Sequence, residues 1–347
     1  MLLHNRIDKS ILKQQIRNES FMRKTLSFYR YTIIESPQLY RDMLYQQWDQ
    51  LNCKGRIYIA REGINAQMSV PEDNIDDFLH QLSNTQGLNN MPIKWAIEDD
   101  GKSFYKLSIK VRPKIVADGL DDDSFDVTNV GKHLTPLEFH DLLEDPNTIV
   151  IDMRNHYESE IGHFNNAICP DVDTFREEIT YVVDAYKDHK KSKILLYCTG
   201  GVRCEKASAY LKHNGFNDVN QLHGGIIAYA QEMKQKGKSS KFVGKNFVFD
   251  ERLGESISMD VISKCHQCGK PSDLHTNCAN NDCHLLFIQC NNCKKTYQGC
   301  CSNECRNITL LPLAEQKAMR SAMLEKYAGS QIFRSRIRPK LSISPNQ

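Results

Sequence analysis

The sequence predicts an α+β multidomain chain of three unlike parts: a small N-terminal α+β sandwich, a central α/β domain on a parallel sheet, and a C-terminal cysteine-rich metal segment. Three observations predict it. Apolar patterning up to Val111 reads βαββαββ; single strands then alternate with helices from Thr148 to Leu222; and nine of the thirteen cysteines lie between Cys265 and Cys305. A chain of 347 residues can form two or three domains with a substantial core, and 40% hydrophobic with 25% charged residues is ordinary for a soluble protein.

Residues 26–34 are rich in β-branched and aromatic types and predict a strand. Ser36-Pro37 opens a helix, on which Leu39, Met43, Leu44, Trp48 and Leu51 recur at helical spacing. Residues 56–60 and 64–70 predict a strand pair across Arg61-Glu62-Gly63. A second helix from Asp73 carries Ile75, Phe78, Leu79 and Leu82 on one face, and 93–97 and 104–111 complete the strands. This order suits a ferredoxin-like or acylphosphatase-like sandwich, assigned to residues 25–115 after an extension over 1–24.

Between Lys114 and Lys132 lie five Asp and no basic residue, which predicts an acidic linker over 116–131. Thr135, Pro136 and Glu138 then form a capping-box pattern that opens the next domain, 132–245. Strands at 148–153, 193–197 and 219–222 alternate with helices near 175–187 and 204–213. That alternation predicts a parallel sheet covered on both faces, with ligand-facing loops at the carboxyl ends of its strands.

One such loop is Cys198-Thr199-Gly200-Gly201-Val202-Arg203, between the apolar run Ile194 to Tyr197 and the helix from Cys204. Its N–H groups and the following helix N-terminus favour an anion, and Arg203 adds a full charge oriented toward it. A cysteine there has its pKa lowered toward about 3.5–7.5 and is a thiolate near neutrality. A merely buried cysteine does not account for the two glycines and the arginine that follow it. Cys204 reads as a packing residue, with a resolving thiol as the other option. Asp152 and Arg154 read as supporting residues at the same sheet edge, through direct chemistry or an ion pair that fixes the loop. Glu62 and Asn65 read as turn residues.

Around the loop lie Asp152-Met153-Arg154, Tyr157-Glu158, Gly162 to Ala167, Gly215 to Val219 and Leu222 to Gly225. Together they resemble a rhodanese domain, in which the first loop residue carries a persulfide and the loop spans six residues, as Cys198 to Arg203 does. Phosphatase relatives use a longer loop. With Gly55 to Asn65, Arg154 to Glu158, Cys198 to Ala207 and the cysteine-rich end in this order, residues 25 to 325 resemble the bacterial rhodanese-domain tRNA uridine hydroxylases. The resemblance implies oxidation of the wobble uridine to 5-hydroxyuridine with molecular oxygen, and a tRNA anticodon loop as partner. The chain departs from it at Ala66 and Val70, where glycine is usual, so a locally different hairpin is expected.

The cysteines of residues 246–327 pair as Cys265/Cys268, Cys278/Cys283, Cys290/Cys293 and Cys301/Cys305, with Cys300 left over. Eight thiolates predict two structural four-coordinate zinc sites, paired sequentially or interleaved, in a segment that folds with its metal. His266, His275 and His284 read as surface residues. A helix is expected at the end of this segment, and 328–347 as a basic tail.

Residues 312–347 hold seven Lys/Arg against two Glu, and residues 1–24 six against two acids. Basic ends suit a phosphate backbone, and Tyr58, Tyr105, Lys106, Lys110 and Arg112 suit a single-stranded loop. No apolar run is long enough for a membrane span, no signal-peptide core is present, and clustered C-x-x-C pairs indicate metal binding rather than secretion, so a cytoplasmic protein is expected. No flavin, haem or nicotinamide signature is visible; a sulfur or electron donor is a further expected partner. The alternatives are a rhodanese-type sulfurtransferase carrying a persulfide on Cys198, and a non-enzymatic RNA or protein adaptor.

Overall fold

The computed structural model describes residues 7–319 other than His284, Leu313 and Lys317. The first six residues, the rest of the expected C-terminal helix, the basic tail and His284 lie outside the described residues. A short helix, α1 (Lys9–Arg17), precedes the first domain, capped by Asp8, which accepts from the Ser10 amide at 2.8 Å.

The first domain contains β1 (Arg23–Tyr31), α2 (Pro37–Gln50), β2 (Lys54–Ala60), β3 (Gly63–Pro71), α3 (Ile75–Asn84), β4 (Lys94–Trp95) and β5 (Leu107–Val111). Its sheet runs β4-β1-β3-β2-β5, antiparallel except that β5 joins β2 in parallel. The predicted order is present, with β5 as an added edge to a ferredoxin-like core. Strand β1 starts earlier than expected because buried Arg23 pairs with Glu19 at 2.7 Å and donates to the Asn52 carbonyl at 2.7 Å. One sheet face buries Phe28, Ile57, Ile59 and Met68 against Trp48 and Phe78 of the two helices. Ala66 and Val70 point into this core from regular β3. The opposite face carries Tyr29, Tyr31, Tyr58 and Asn65.

Residues 116–131 cross between the two sheets and are tied at several points. Lys114 contacts Asp118 at 2.7 Å and Asp122 at 2.9 Å, and Phe125 packs edge-on against Tyr210.

The central domain comprises β6 (Lys132–Leu134), α4 (Pro136–Leu142), β7 (Thr148–Asp152), α5 (His156–Ser159), β8 (Gly162–Phe164), α6 (Phe175–Ala185), β9 (Lys193–Tyr197), α7 (Val202–His213), β10 (Asp218–Leu222) and α8 (Gly225–Gln235). The all-parallel sheet runs β6-β10-β9-β7. Helices α6 and α7 cover one face through Ile179, Val182, Ala207 and Leu211, while α4 and α8 cover the other through Phe139, Ile226 and Tyr229. The capping box is formed as predicted: Thr135 Oγ1 accepts from the Glu138 amide at 3.3 Å, and Glu138 Oε2 accepts from the Thr135 amide at 2.8 Å.

Strand β11 (Phe242–Asn246) pairs with β8, and β12 (Glu255–Ser256) pairs with β11, leading the chain into the cysteine-rich segment. That segment holds β13 (His275–Asn277), β14 (Leu286–Ile288), α9 (Asn291–Thr296) and α10 (Asn303–Thr309).

Candidate active site

The loop after β9 closes on its own sulfur. The Gly201 amide donates to Cys198 Sγ at 3.1 Å, and the Gly201 carbonyl accepts from the Cys204 amide at 3.0 Å. Gly201 does this at φ 102°, and a Cβ there would stand 2.8 Å from the Tyr29 hydroxyl, so conformation and space both call for glycine. Gly225, at the start of α8, lies equally close: its Cβ would meet the Cys198 and Thr199 carbonyls at 2.6 Å. The Ile226 amide anchors the Cys198 carbonyl at 3.0 Å.

Cys198 is fully buried. Burial alone would push its thiol up; a hydrogen bond from the Cys204 thiol, the Arg203 charge and the Arg203 and Gly201 amides outweigh it and bring the pKa down to about 5. Burial and the neighbouring thiolate push Cys204 well above its ordinary value. Cys204 packs as expected: it lies in the first turn of α7, fully buried in the apolar cluster that also holds Cys198.

Arg203 is also placed differently from the expectation. Its guanidinium forks onto Glu158, Nη1 to Oε1 at 2.6 Å and Nη2 to Oε2 at 2.9 Å, and also donates to Thr199 Oγ1 at 3.3 Å. The pair is buried, so Arg203 braces the loop through Glu158 while its charge still bears on Cys198. Glu158 is held by its own helix start, where Oε1 accepts from the Asn155 amide at 3.1 Å. The Asn155-x-x-Glu158 capping pattern was its available sequence signal. Asp152 and Arg154 form a fully buried ion pair at 2.6 Å, and Arg154 Nη2 also donates to the Gly162 carbonyl at 2.6 Å. This is the structural option of the two expected for them. Beside these pairs, Glu178 is buried with neither carboxylate oxygen hydrogen-bonded, and burial pushes its pKa well up.

The first domain closes the site. Lys94, on edge strand β4, passes over the loop: a Cβ at Gly200 or at Gly224 would stand 3.8 Å from its side chain. Burial brings Lys94 down to about 8, opposed by the negative charges of Cys198 and Glu205. Its ammonium lies 4.6 Å from the Tyr29 ring centroid, and the Tyr29 hydroxyl donates to Glu205 at 2.9 Å. Nothing in the local sequence around Lys94 marks it, because its role arises from docking of one domain on another. Glu62 is likewise more than a turn residue. It accepts from the Ile115 amide at 2.7 Å and pairs at 2.7 Å with Lys206 of α7, which is 2% exposed and also meets Asp122 at 2.8 Å. Asn65 donates to the Ile115 carbonyl at 3.3 Å.

In the C-terminal segment, Cys265, Cys268, Cys290 and Cys293 form one set of converging thiols, and Cys278, Cys283, Cys301 and Cys305 the other, each within 4.8 Å. The order is interleaved, first pair with third and second with fourth. Both sets can hold a metal ion, and four sulfurs with no other donor leave no open position. Cys300 is buried beside the second set without being one of its four converging thiols, and lies 3.7 Å from Thr309 Oγ1. His266 and His275 are not surface residues, which corrects that expectation. His266 Nε2 meets Glu160 at 2.7 Å, and His275 packs on Phe247 at 5.1 Å between ring centroids. Burial lowers His275 to about 4, leaving it neutral. His266 thus meets the C-terminal cap of α5, the helix that carries Glu158, and His275 also packs edge-on against Tyr157 of that helix at 6.5 Å between ring centroids.

A cysteine cradle at the carboxyl end of a parallel sheet, sealed by an acylphosphatase-like domain and backed by a cysteine-ligand segment, defines a multidomain rhodanese-type protein. Residues 23–115 match the UPF0176 acylphosphatase-like domain, 135–232 the rhodanese-like domain and 243–306 the rhodanase C-terminal family. A tRNA uridine(34) hydroxylase of Leptospira interrogans is 57% identical over 98% of this chain and 92% of its own. One from Enterobacter sp. is 50% identical over 99% and 98%, and one from Yersinia enterocolitica 53% identical over 92% of each chain. Among solved structures, the Alr3790 protein of Anabaena sp. is 24% identical over 32% of this chain and 91% of its own, with a TM-score of 0.26. The chain belongs to the tRNA uridine(34) hydroxylase family.

Proposed function

We propose that this chain hydroxylates C5 of uridine 34, the wobble position, in the tRNA anticodon loop, taking the oxygen atom from molecular oxygen. Similarity to tRNA uridine(34) hydroxylases along nearly the whole chain carries this reading. The rhodanese loop supplies the chemistry. Cys198 Sγ adds to C6 of the uracil as a thiolate, which makes C5 the nucleophilic carbon of an enolate and directs oxygen to it. Thr199, Gly200, Gly201, Val202 and Arg203 form the anion cradle, with Glu158, Asp152 and Arg154 holding its shape. Lys94 supplies positive charge over the thiolate and the anionic adduct.

Zinc fits both four-thiol sets, held by Cys265, Cys268, Cys290 and Cys293 and by Cys278, Cys283, Cys301 and Cys305. When bound it supplies structural cross-links, and the closed donor set keeps it out of the reaction. Arg56, Lys110 and Arg112 lie on the partly open side of the first sheet, with Arg112 5.9 Å from the Tyr58 ring centroid; they are suited to phosphate and base contacts. Among the described residues no helix is long and apolar enough to cross a membrane, and a tRNA substrate supports a reaction in the cytoplasm.

Incubation of purified protein with unmodified tRNA, a thiol reductant and ¹⁸O₂ tests this reading. The nucleoside at position 34 is expected to gain one ¹⁸O atom. Unaltered uridine 34 together with efficient thiosulfate turnover would return the protein to the sulfurtransferase class.

A further inference from the structure

Hydroxylation by molecular oxygen places one oxygen atom in the product and the other in water, and so consumes two electrons and two protons. Two thiols becoming one disulfide release that number of each. Cys198 and Cys204 are both fully buried in one apolar cluster, where each sulfur bears on the ionisation of the other. Gly201 brings them together, its amide on one sulfur and its carbonyl on the amide of the other cysteine. Cys53 lies in the core of the first domain and Cys169 beside the Ala167 carbonyl, so among the described residues Cys204 is the thiol that shares the cluster with Cys198.

We infer that Cys204 is a second catalytic residue, and that the Cys198–Cys204 dithiol is the immediate two-electron donor of the reaction. The inference rests on the hydroxylase reading and extends it to the origin of the electrons. After Cys198 has bonded to C6 and oxygen to C5, the Cys204 sulfur takes the distal oxygen of the C5 hydroperoxide. The O–O bond breaks, leaving a C5 hydroxyl and a Cys204 sulfenic acid. Loss of the C5 proton and departure of Cys198 from C6 restore the C5=C6 bond. The freed Cys198 thiolate attacks the sulfenic sulfur, a disulfide forms, and the remaining oxygen leaves as water. The sum is uridine, O₂ and two thiols giving 5-hydroxyuridine, a disulfide and water. The protonated state of Cys204 beside thiolate Cys198 suits this division: one sulfur attacks carbon while the other stays a thiol until the hydroperoxide forms. A thiol reductant then restores the pair between turnovers.

The test is a single turnover of full-length protein that has been reduced and then freed of reductant by anaerobic gel filtration. On mixing with tRNA and air-saturated buffer, about one 5-hydroxyuridine per chain is expected, with an equal amount of Cys198–Cys204 disulfide in the peptide map. Little disulfide should form when tRNA is omitted. C204S should give less than a tenth of that product in the single turnover and recover with excess dithiothreitol, because a small thiol can take the distal oxygen instead. Product without the disulfide, an equal yield of disulfide without tRNA, or a full single turnover by C204S would overturn the inference. The wild-type stoichiometry decides the matter without any variant, should C204S fail to fold. A wild-type protein that makes no product even with dithiothreitol would overturn the hydroxylase reading and the inference with it, whereas product with dithiothreitol and no disulfide overturns the inference alone.

Discussion

Lys94 and Cys198 belong to different domains, yet the lysine side chain lies over the loop that presents the sulfur, 3.8 Å from where a Cβ would stand at Gly200 and at Gly224. The site is thus completed only when the first domain docks on the second. The hydrogen bonds and charge of the loop bring Cys198 down to about 5 and burial brings Lys94 down to about 8, with Tyr29, Glu158, Arg203, Cys204, Glu205 and His223 among the other charged or titratable groups around them. The thiolate is present above the lower value and the ammonium below the higher one. The rate of hydroxylation should therefore rise with pH through about 5 and fall through about 8. K94M should lose the alkaline limb and slow the reaction by about tenfold, the equivalent of one pKa unit. An unchanged bell in K94M would remove Lys94 from the site.

Lys206 holds the seam between the same two domains, meeting Glu62 at 2.7 Å and Asp122 at 2.8 Å while almost fully buried. Removing one partner of a buried pair leaves the other charge uncompensated. K206M should lower unfolding stability by roughly 3 kcal/mol, the lower end for such pairs because both acids keep some solvent contact. Urea denaturation measures it, and a loss within experimental error would show that the contact contributes little.

Metal removal should act at a distance. The docking of His266 on Glu160 and of His275 on Tyr157 joins the metal segment to α5, and α5 carries the Glu158 that braces Arg203. Purified protein should contain about two zinc ions per chain. Chelation should unfold residues 265–305 first and raise amide exchange in 156–159, with slower alkylation of Cys198 by iodoacetamide. A chelated protein whose Cys198 reacts as before would uncouple the two sites.

Affinity for tRNA should fall steeply with salt, and changing Arg56, Lys110 and Arg112 together to Ala should flatten the slope of log K against log salt by about 0.7–0.9 for each phosphate no longer neutralised. Fluorescence titration at several salt concentrations reads this directly. A slope unaffected by the triple change would place the phosphate-binding residues elsewhere on the protein.

Local signals carried much of the architecture into the sequence. The Thr135/Glu138 cap, the alternation of strand and helix from Thr148, and the loop from Cys198 to Arg203 each depend on residues near one another in the chain, and each is present in the fold. Features that depend on docking were not legible. Lys94 lies on a two-residue edge strand with no motif, Glu62 looked like a turn residue, and His266 and His275 looked like surface residues until the metal segment packed on α5. The zinc pairing belongs to the same class: spacing identifies four cysteine pairs, but only the β13–β14 hairpin brings first to third and second to fourth. Cys204 lay between the two, since its position on the helix was readable and its direction was not.

Reaction of the Cys198 sulfur with the wobble uridine is the step on which all the others depend. Its most direct test is the amount of 5-hydroxyuridine at position 34 formed by C198S, beside wild type, on the same unmodified tRNA under oxygen with excess thiol. A serine hydroxyl fits the cradle but is not ionised at neutral pH, so the yield should fall by about 10³-fold or more while the zinc content and thermal unfolding of the protein stay as in wild type. A folded C198S that hydroxylates uridine 34 at the wild-type rate would show that this sulfur is not the reacting group.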